Sequence, residues 1–371
     1  LHIRYLIADS PLYIDIIPGR AMDATENDMH VQDTASDAAS CKLSAVQLGY
    51  WEDSFAHMFA KPNRKMPIIN RGYYARVRSI EVLLHRFLAS TSPTSSSGDS
   101  PAQQLPYTRQ IIVLGAGQDS MYFRLKSRPR DSVSLDRTLY IELDFPAITR
   151  SKVRLCRRHK ALSDVFGAVE TNNDMELKAH GYALLACDLR NLSTVQAKLH
   201  AAGIQPSVPT LILSECVMCY MDPADSAPLI GWFGAAFADA TFIVYEQIRP
   251  NDAFGQTMVT NIHMRGCDLK SISTYPDVED QRRRFHAAGF SHVECWDMNQ
   301  IYYDFLDPVE RKQKERLEMF DEVEEYHLLQ AHYCVVVAST TPTPALRLVK
   351  TATQHDNNYE RTTAPPHVTY G

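Results

Sequence analysis

Four acidic residues stand just beyond short apolar runs: Asp144 after 140–143, Asp188 after 182–187, Glu215 after 210–213 and Ser214, and Glu246 after 241–245. A fifth run, 110–114, ends instead on Gly115-Ala116-Gly117. A strand that stops at Gly-x-Gly lets its backbone come close to a nucleotide cofactor, and a carboxylate ending the neighbouring strand can accept both ribose hydroxyl protons. A dinucleotide fingerprint needs a third glycine three places after Gly117, where this chain has Ser120, and Asp119 puts negative charge where a pyrophosphate would lie. The pattern therefore suits a cationic, hydroxyl-rich cofactor without phosphates.

S-adenosylmethionine has that chemistry: a sulfonium, a ribose diol, an adenine amino group and a zwitterionic amino-acid end. Asp144 is placed to accept from the ribose and Asp188 from the adenine amino group, with Leu189 against the ring, while Glu215 suits the ammonium. The cofactor carboxylate needs a cation that no strand end supplies. Arg71, Arg76 and Arg78, with Lys42 further upstream, are the nearest in sequence, and a guanidinium can grip a carboxylate through two parallel bonds.

Holding these groups together requires a sheet whose strands all end on one edge. The runs 110–114, 139–143, 182–187, 210–213 and 241–245 alternate with helical stretches, which predicts a parallel sheet with helices on both faces. Two later strands, 292–296 and 333–338, add an edge pair and make seven, with one charged helical stretch expected over 308–329. Tyr73, Val77, Ile80, Leu84 and Phe87 share one face of a helix over 73–88, part of a helical cap that precedes the sheet. Residues 249–275 interrupt the alternation and read as a lid or substrate-binding insertion. The expected organisation is a disordered arm over 1–40, a cap with a flexible Ser/Pro-rich insertion over 41–104, a core over 105–339 and a disordered tail over 340–371.

Net charge is −6 and no long basic block occurs, so nucleic acid is not expected as a partner; Arg282-Arg283-Arg284 reads as a solvated helix face. Eight cysteines are scattered through apolar runs, the usage of a reducing compartment, which predicts a cytoplasmic protein. Cys216-Val217-Met218-Cys219 has metal-pair spacing without a second pair, and no His-Glu-x-x-His occurs, so no metal is expected. No apolar run reaches the roughly 18 residues of a membrane helix, and the first 17 residues, broken by Arg4, Asp9 and Asp15, do not read as a signal peptide.

Taken in order, Cys41-Lys42, Gly49-Tyr50-Trp51, Ile69-Asn70-Arg71-Gly72-Tyr73-Tyr74-Ala75-Arg76-Val77, Leu114-Gly115-Ala116-Gly117-Gln118-Asp119, Asp144-Phe145-Pro146, Asp188-Leu189-Arg190, Ser214-Glu215-Cys216-Val217, Tyr220-Met221 and Tyr245-Glu246-Gln247 resemble the motif series of leucine carboxyl methyltransferases. The resemblance spans about residues 37–340 and departs at Met121, where the family has a small hydroxyl residue. It implies a class I methyltransferase fold, S-adenosylmethionine as cofactor, and contacts to it from Lys42, Arg76, Gly115, Asp144, Asp188, Leu189 and Glu215. It also implies an acceptor, the C-terminal leucine of the protein phosphatase 2A catalytic subunit, bound by a monomer through its tail and active-site face. Arg76 and Tyr220, with Arg71 and Tyr245 as secondary candidates, are expected to orient the acceptor and cofactor carboxylates. The competing readings are a relative that methylates a carboxyl group in the tRNA wybutosine pathway, an NAD-dependent enzyme, and a non-enzymatic scaffold. The first would carry an extra repeat domain, and no 50-residue repeat follows residue 340.

Overall fold

The computed structural model describes residues 24–90, 106–128 and 134–351. Two long helices come first, α1 (Ala24–Gln47) and α2 (Pro67–Ser90). The core then runs β1 (Arg109–Leu114), α3 (Met121–Lys126), β2 (Thr138–Asp144), α4 (Pro146–Arg158), α5 (Lys160–Phe166), β3 (Val169–Asn172), β4 (Leu177–Ala179), β5 (Tyr182–Ala186), α6 (Leu192–Ala201), β6 (Thr210–Glu215), α7 (Pro223–Ala236), β7 (Ala240–Gln247), α8 (Ala253–His263), α9 (Val278–Ala287) and β8 (His292–Asp297). A short α10 (Met298–Gln300) runs into a wide turn, Ile301–Phe305, before α11 (Pro308–Lys314), α12 (Val323–Ala331) and β9 (Tyr333–Ser339).

These strands make one sheet in the order β3-β4-β5-β2-β1-β6-β7-β9-β8. Strands β5, β2, β1, β6 and β7 are parallel, as the alternation of strands and helices requires, and β9 lies antiparallel between β7 and β8. Leaving aside β3 and β4, this is the strand order of the class I methyltransferase fold expected from the sequence. The sheet has nine strands instead of seven, because the hairpin β3–β4 extends it beyond β5.

Both faces of the central strands are apolar, and successive residues feed opposite cores. Ile111, Val113, Tyr140, Leu211, Leu213 and Ile243 pack with α2, α3 and the turn after α10. Their neighbours Ile112, Leu114, Ile141, Leu143, Ile212, Phe242 and Val244 pack with α6, α7 and α9. Full burial of each such side chain stabilises by roughly 1.5–3 kcal/mol, so the sheet is a rigid platform for whatever its edge carries.

Three expectations about the flanks change. The arm expected over 1–40 is helical from Ala24 onward, with residues 1–23 outside the described region. Within the tail expected from 340, Leu346 and Leu348 are buried, and Glu294 Oε2 accepts from the Leu348 N–H at 2.6 Å; residues 352–371 lie outside the described region. The stretch 308–329 is two helices instead of one, because the segment between them turns back and sets Phe320 over Arg71. The insertion expected at 90–104 is outside the described residues except for Ser90, which ends α2.

Candidate active site at the carboxyl edge of the sheet

A cavity of about 370 Å³ opens where the parallel strands end, in the range of small-molecule sites. Its floor is the β1 turn. Gly115 has φ +73° and Gly117 φ +50°, and a Cβ on Gly115 would stand 2.3 Å from Val217 Cγ2, so this position admits only glycine. The turn is tied to the next strand through Asp144, whose Oδ2 accepts from the Gly117 N–H and whose Oδ1 accepts from the Phe145 N–H, both at 2.7 Å. Burial outweighs these bonds and raises the Asp144 carboxyl from its ordinary 3.8 to about 6.

At one end of the cavity four charges alternate. Arg76 Nε donates to Glu215 Oε2 at 2.7 Å, Lys42 Nζ lies 3.5 Å from the same oxygen, and Lys42 also bonds Asp119. Burial disfavours the Asp119 carboxylate, but Lys42 more than compensates and holds it far below the usual range. Two cations and two anions in one recess form a receptor for a zwitterion, since each end of an amino acid finds its opposite. At the far end Asp188 is gripped by Arg190, with Leu189 buried beside it.

Beyond Arg76 the wall turns aromatic. Its guanidinium lies 4.6 Å from the Tyr245 ring centroid and 5.5 Å from Tyr73, and Tyr245 stacks on Tyr333 at 5.3 Å. Tyr220, in the turn after β6, lines the same space, as do Met258, Ile262 and Leu329. Burial pushes the phenols of Tyr73, Tyr220 and Tyr245 well above 10, so they stay protonated donors at neutral pH.

Lys42, Arg76, Gly115, Gly117, Asp144, Asp188, Leu189, Glu215, Tyr220 and Tyr245 therefore converge on one cavity. Arg71 does not. It is buried on the opposite side of α2, 3.7 Å from the Phe320 ring and donating to the Glu315 carbonyl at 3.2 Å, while Arg78 bonds Glu310. Helix geometry is the reason: at about 100° per residue, positions 71 and 78 fall about 20° apart, whereas 76 is rotated about 140° from 71. Arg71→Ala should lower stability by about 1–3 kcal/mol without changing cofactor affinity, which denaturant unfolding and a binding titration on the same variant would establish.

Sequence reasoning missed several lining residues. The first half of α1 walls the cavity through Asp28, Val31, Gln32, Ala35 and Ala38, and Gln118, Gln330 and Tyr333 also contribute. Alternating small and polar residues gave no apolar stripe to mark α1. Glu142, in β2 beside Asp144, is the buried partner of Lys152 at 2.8 Å and of the Tyr182 hydroxyl at 2.7 Å. Among the described residues no cluster of His, Cys, Asp and Glu could hold a metal ion, and no helix is long and apolar enough to cross a membrane.

The residues present fit S-adenosylmethionine. A desolvated carboxylate waits at the ribose position, a glycine cradle leaves room beside it, and the alternating charges match the amino-acid end. Gln118, lining the cavity, carries a buried Oε1 with no hydrogen-bond partner, an acceptor left for a ligand donor.

The sequence comparisons place the chain in a family. A leucine carboxyl methyltransferase family model matches residues 20–234. The chain is 38% identical to a leucine carboxyl methyltransferase 1 homolog from Arabidopsis thaliana, over 85% of this chain and 91% of that one. It is 39% identical to the human tRNA wybutosine-synthesizing protein 4, over 86% of this chain and 45% of that protein. Among solved structures, magnesium protoporphyrin IX methyltransferase from Synechocystis with bound SAH aligns at 9% identity and TM-score 0.42, over 85% of this chain and 99% of that one. With a sheet ordered as in class I methyltransferases, a cavity fitted to S-adenosylmethionine and a family match over more than half its length, the chain belongs to the leucine carboxyl methyltransferase family.

Proposed function

We propose that this methyltransferase esterifies the C-terminal leucine α-carboxylate of the protein phosphatase 2A catalytic subunit, acting as a monomer in the cytoplasm. The observation that carries this reading is the position of Arg76 at the join of two environments. On one side lie Glu215 and Lys42; on the other, Tyr245, Tyr220 and an apolar lobe of Met258, Ile262 and Leu329, whose apolar lining suits a leucine side chain.

S-adenosylmethionine supplies an electrophilic methyl group when bound. The chain's residues have little acid–base work, because an α-carboxyl with pKa near ~3.5 is already ionised at neutral pH and needs no general base. Their task is to position the acceptor and to remove water from it. Arg76, with the protonated Tyr220 and Tyr245 phenols, offers fixed donors in place of water around a carboxylate, and the surrounding apolar wall keeps the oxygen from being solvated again.

A second reading keeps the chemistry and changes the acceptor: the identity to the human tRNA wybutosine-synthesizing protein 4, 39%, stands beside 38% to the plant homolog, which favours a carboxyl group carried on tRNA. The net charge of −6 and the absence of a long basic block favour the phosphatase. Incubation with methyl-labelled cofactor separates the two. Alkali-labile label, released as methanol, should appear on the intact phosphatase subunit and not on one lacking its terminal leucine. Label on tRNA alone would reject the phosphatase in favour of the second reading.

A further inference from the structure

The first turns of α1 lie across the cofactor end of the cavity, where Ala35 packs 3.6 Å from the position a Cβ on Gly117 would take. One charged chain joins this helix to the sheet edge. Arg190 grips Asp28 of α1 through two parallel bonds, Nη1 to Oδ1 at 3.0 Å and Nη2 to Oδ2 at 2.6 Å. The same guanidinium donates from Nε to Asp188 Oδ1 at 2.9 Å and from Nη2 to Asp188 Oδ2 at 2.6 Å. Asp28, Asp188 and Arg190 all line the cavity and are only partly exposed.

We propose that Arg190 is a positioning residue that fixes Asp188 for the adenine end of the cofactor and, through the same fork, holds the start of α1 down over it. Asp188 and Arg190 are two residues apart in the loop after β5, whereas Asp28 lies 162 residues away from Arg190, so the fork couples a local carboxylate orientation to a long-range closure. Beside it, Asn27 Oδ1 accepts from the Asp268 N–H at 3.0 Å, and the His30 ring packs against Gly266, neither of them a pair of opposite charges. A bidentate guanidinium–carboxylate pair has the geometry that makes a partly exposed ion pair worth measuring. The inference rests on the cofactor and not on the identity of the acceptor.

The test uses the full chain and S-adenosylhomocysteine, without any methyl acceptor. Asp28→Asn removes the charge and one of the two parallel bonds that tie α1 and leaves Arg190 on Asp188; it should speed dissociation of that ligand and weaken its affinity by about three- to tenfold. Asp28→Glu should restore both to within about twofold. Arg190→Ala, which also frees Asp188, should have the larger effect. In the ligand-free chain, backbone hydrogen exchange should accelerate in Asp28→Asn over residues 24–35 and stay unchanged in the strands of the sheet. Release at the parent rate from Asp28→Asn, failure of Asp28→Glu to rescue, or exchange that rises evenly through the whole chain would overturn the proposal. Because no acceptor is present, a wrong acceptor assignment would leave these results untouched.

Discussion

Arg76→Ala should lower kcat/KM for methyl transfer by about 10²- to 10³-fold, close to 3–4 kcal/mol of transition-state stabilisation, while the variant still unfolds cooperatively. The size follows from where the guanidinium sits. It is one of two cations in the charged recess, it pairs with Glu215, and it faces the aromatic lobe proposed for the acceptor. The fold should survive because Glu215 keeps Lys42 as a partner at 3.5 Å and neither side chain belongs to the apolar cores. Arg76→Lys keeps the charge and loses the planar fork, so an intermediate loss of about tenfold is expected. Initial rates with saturating cofactor, read beside thermal melts, check both variants. Parent-like activity in Arg76→Ala would remove this residue from the reaction.

The parallel core was legible because each of its strands is apolar on both faces, a pattern that only a sheet covered by two helical layers can bury. The site was legible for the same reason: a residue at a strand's carboxyl end has its position set by the sheet, so Asp144, Asp188 and Glu215 could be placed without knowing any loop. What failed was built from other signals. The hairpin β3–β4 escaped notice because its strands are four and three residues long and lie at the sheet's edge, with too few alternations to stand out. Helix α1 escaped because it meets the cavity through Ala35, Ala38 and Asp28 instead of large apolar residues. Arg71 was grouped with Arg76 by nearness in sequence, although helical phase sets them on different faces of α2. The break between α11 and α12 has no proline or glycine to mark it, and the segment there sets Phe320 over Arg71, a contact distant in sequence.

Cofactor affinity should fall as the pH drops through about 6, and Asp144 should be the cause. Asp144 can accept from both ribose hydroxyls, beside the Gly117 and Phe145 N–H groups it already serves, only when ionised, because a proton turns one of its acceptor sites into a donor. Because burial raises this carboxyl from 3.8 to about 6, a proton competes with the ligand in a range where an exposed aspartate would be fully charged. The dissociation constant should therefore rise toward tenfold per pH unit below 6. Asp144→Asn should bind weakly at every pH and lose that slope. Stability carries the opposite sign. The folded chain holds the Asp144 proton more tightly than the unfolded one, so between about pH 4 and 6 the ligand-free protein loses stability as the pH rises. The total from this group is on the order of 3 kcal/mol at 1.36 kcal/mol per unit, present in full below 4 and gone above 6. Ligand binding should offset part of that loss, since hydroxyl donors return to the carboxylate what burial took away. The shift in Tm caused by S-adenosylhomocysteine should thus grow from pH 5 to pH 7 in the parent protein and stay flat in Asp144→Asn. An equal growth in both proteins would assign the titration to another group.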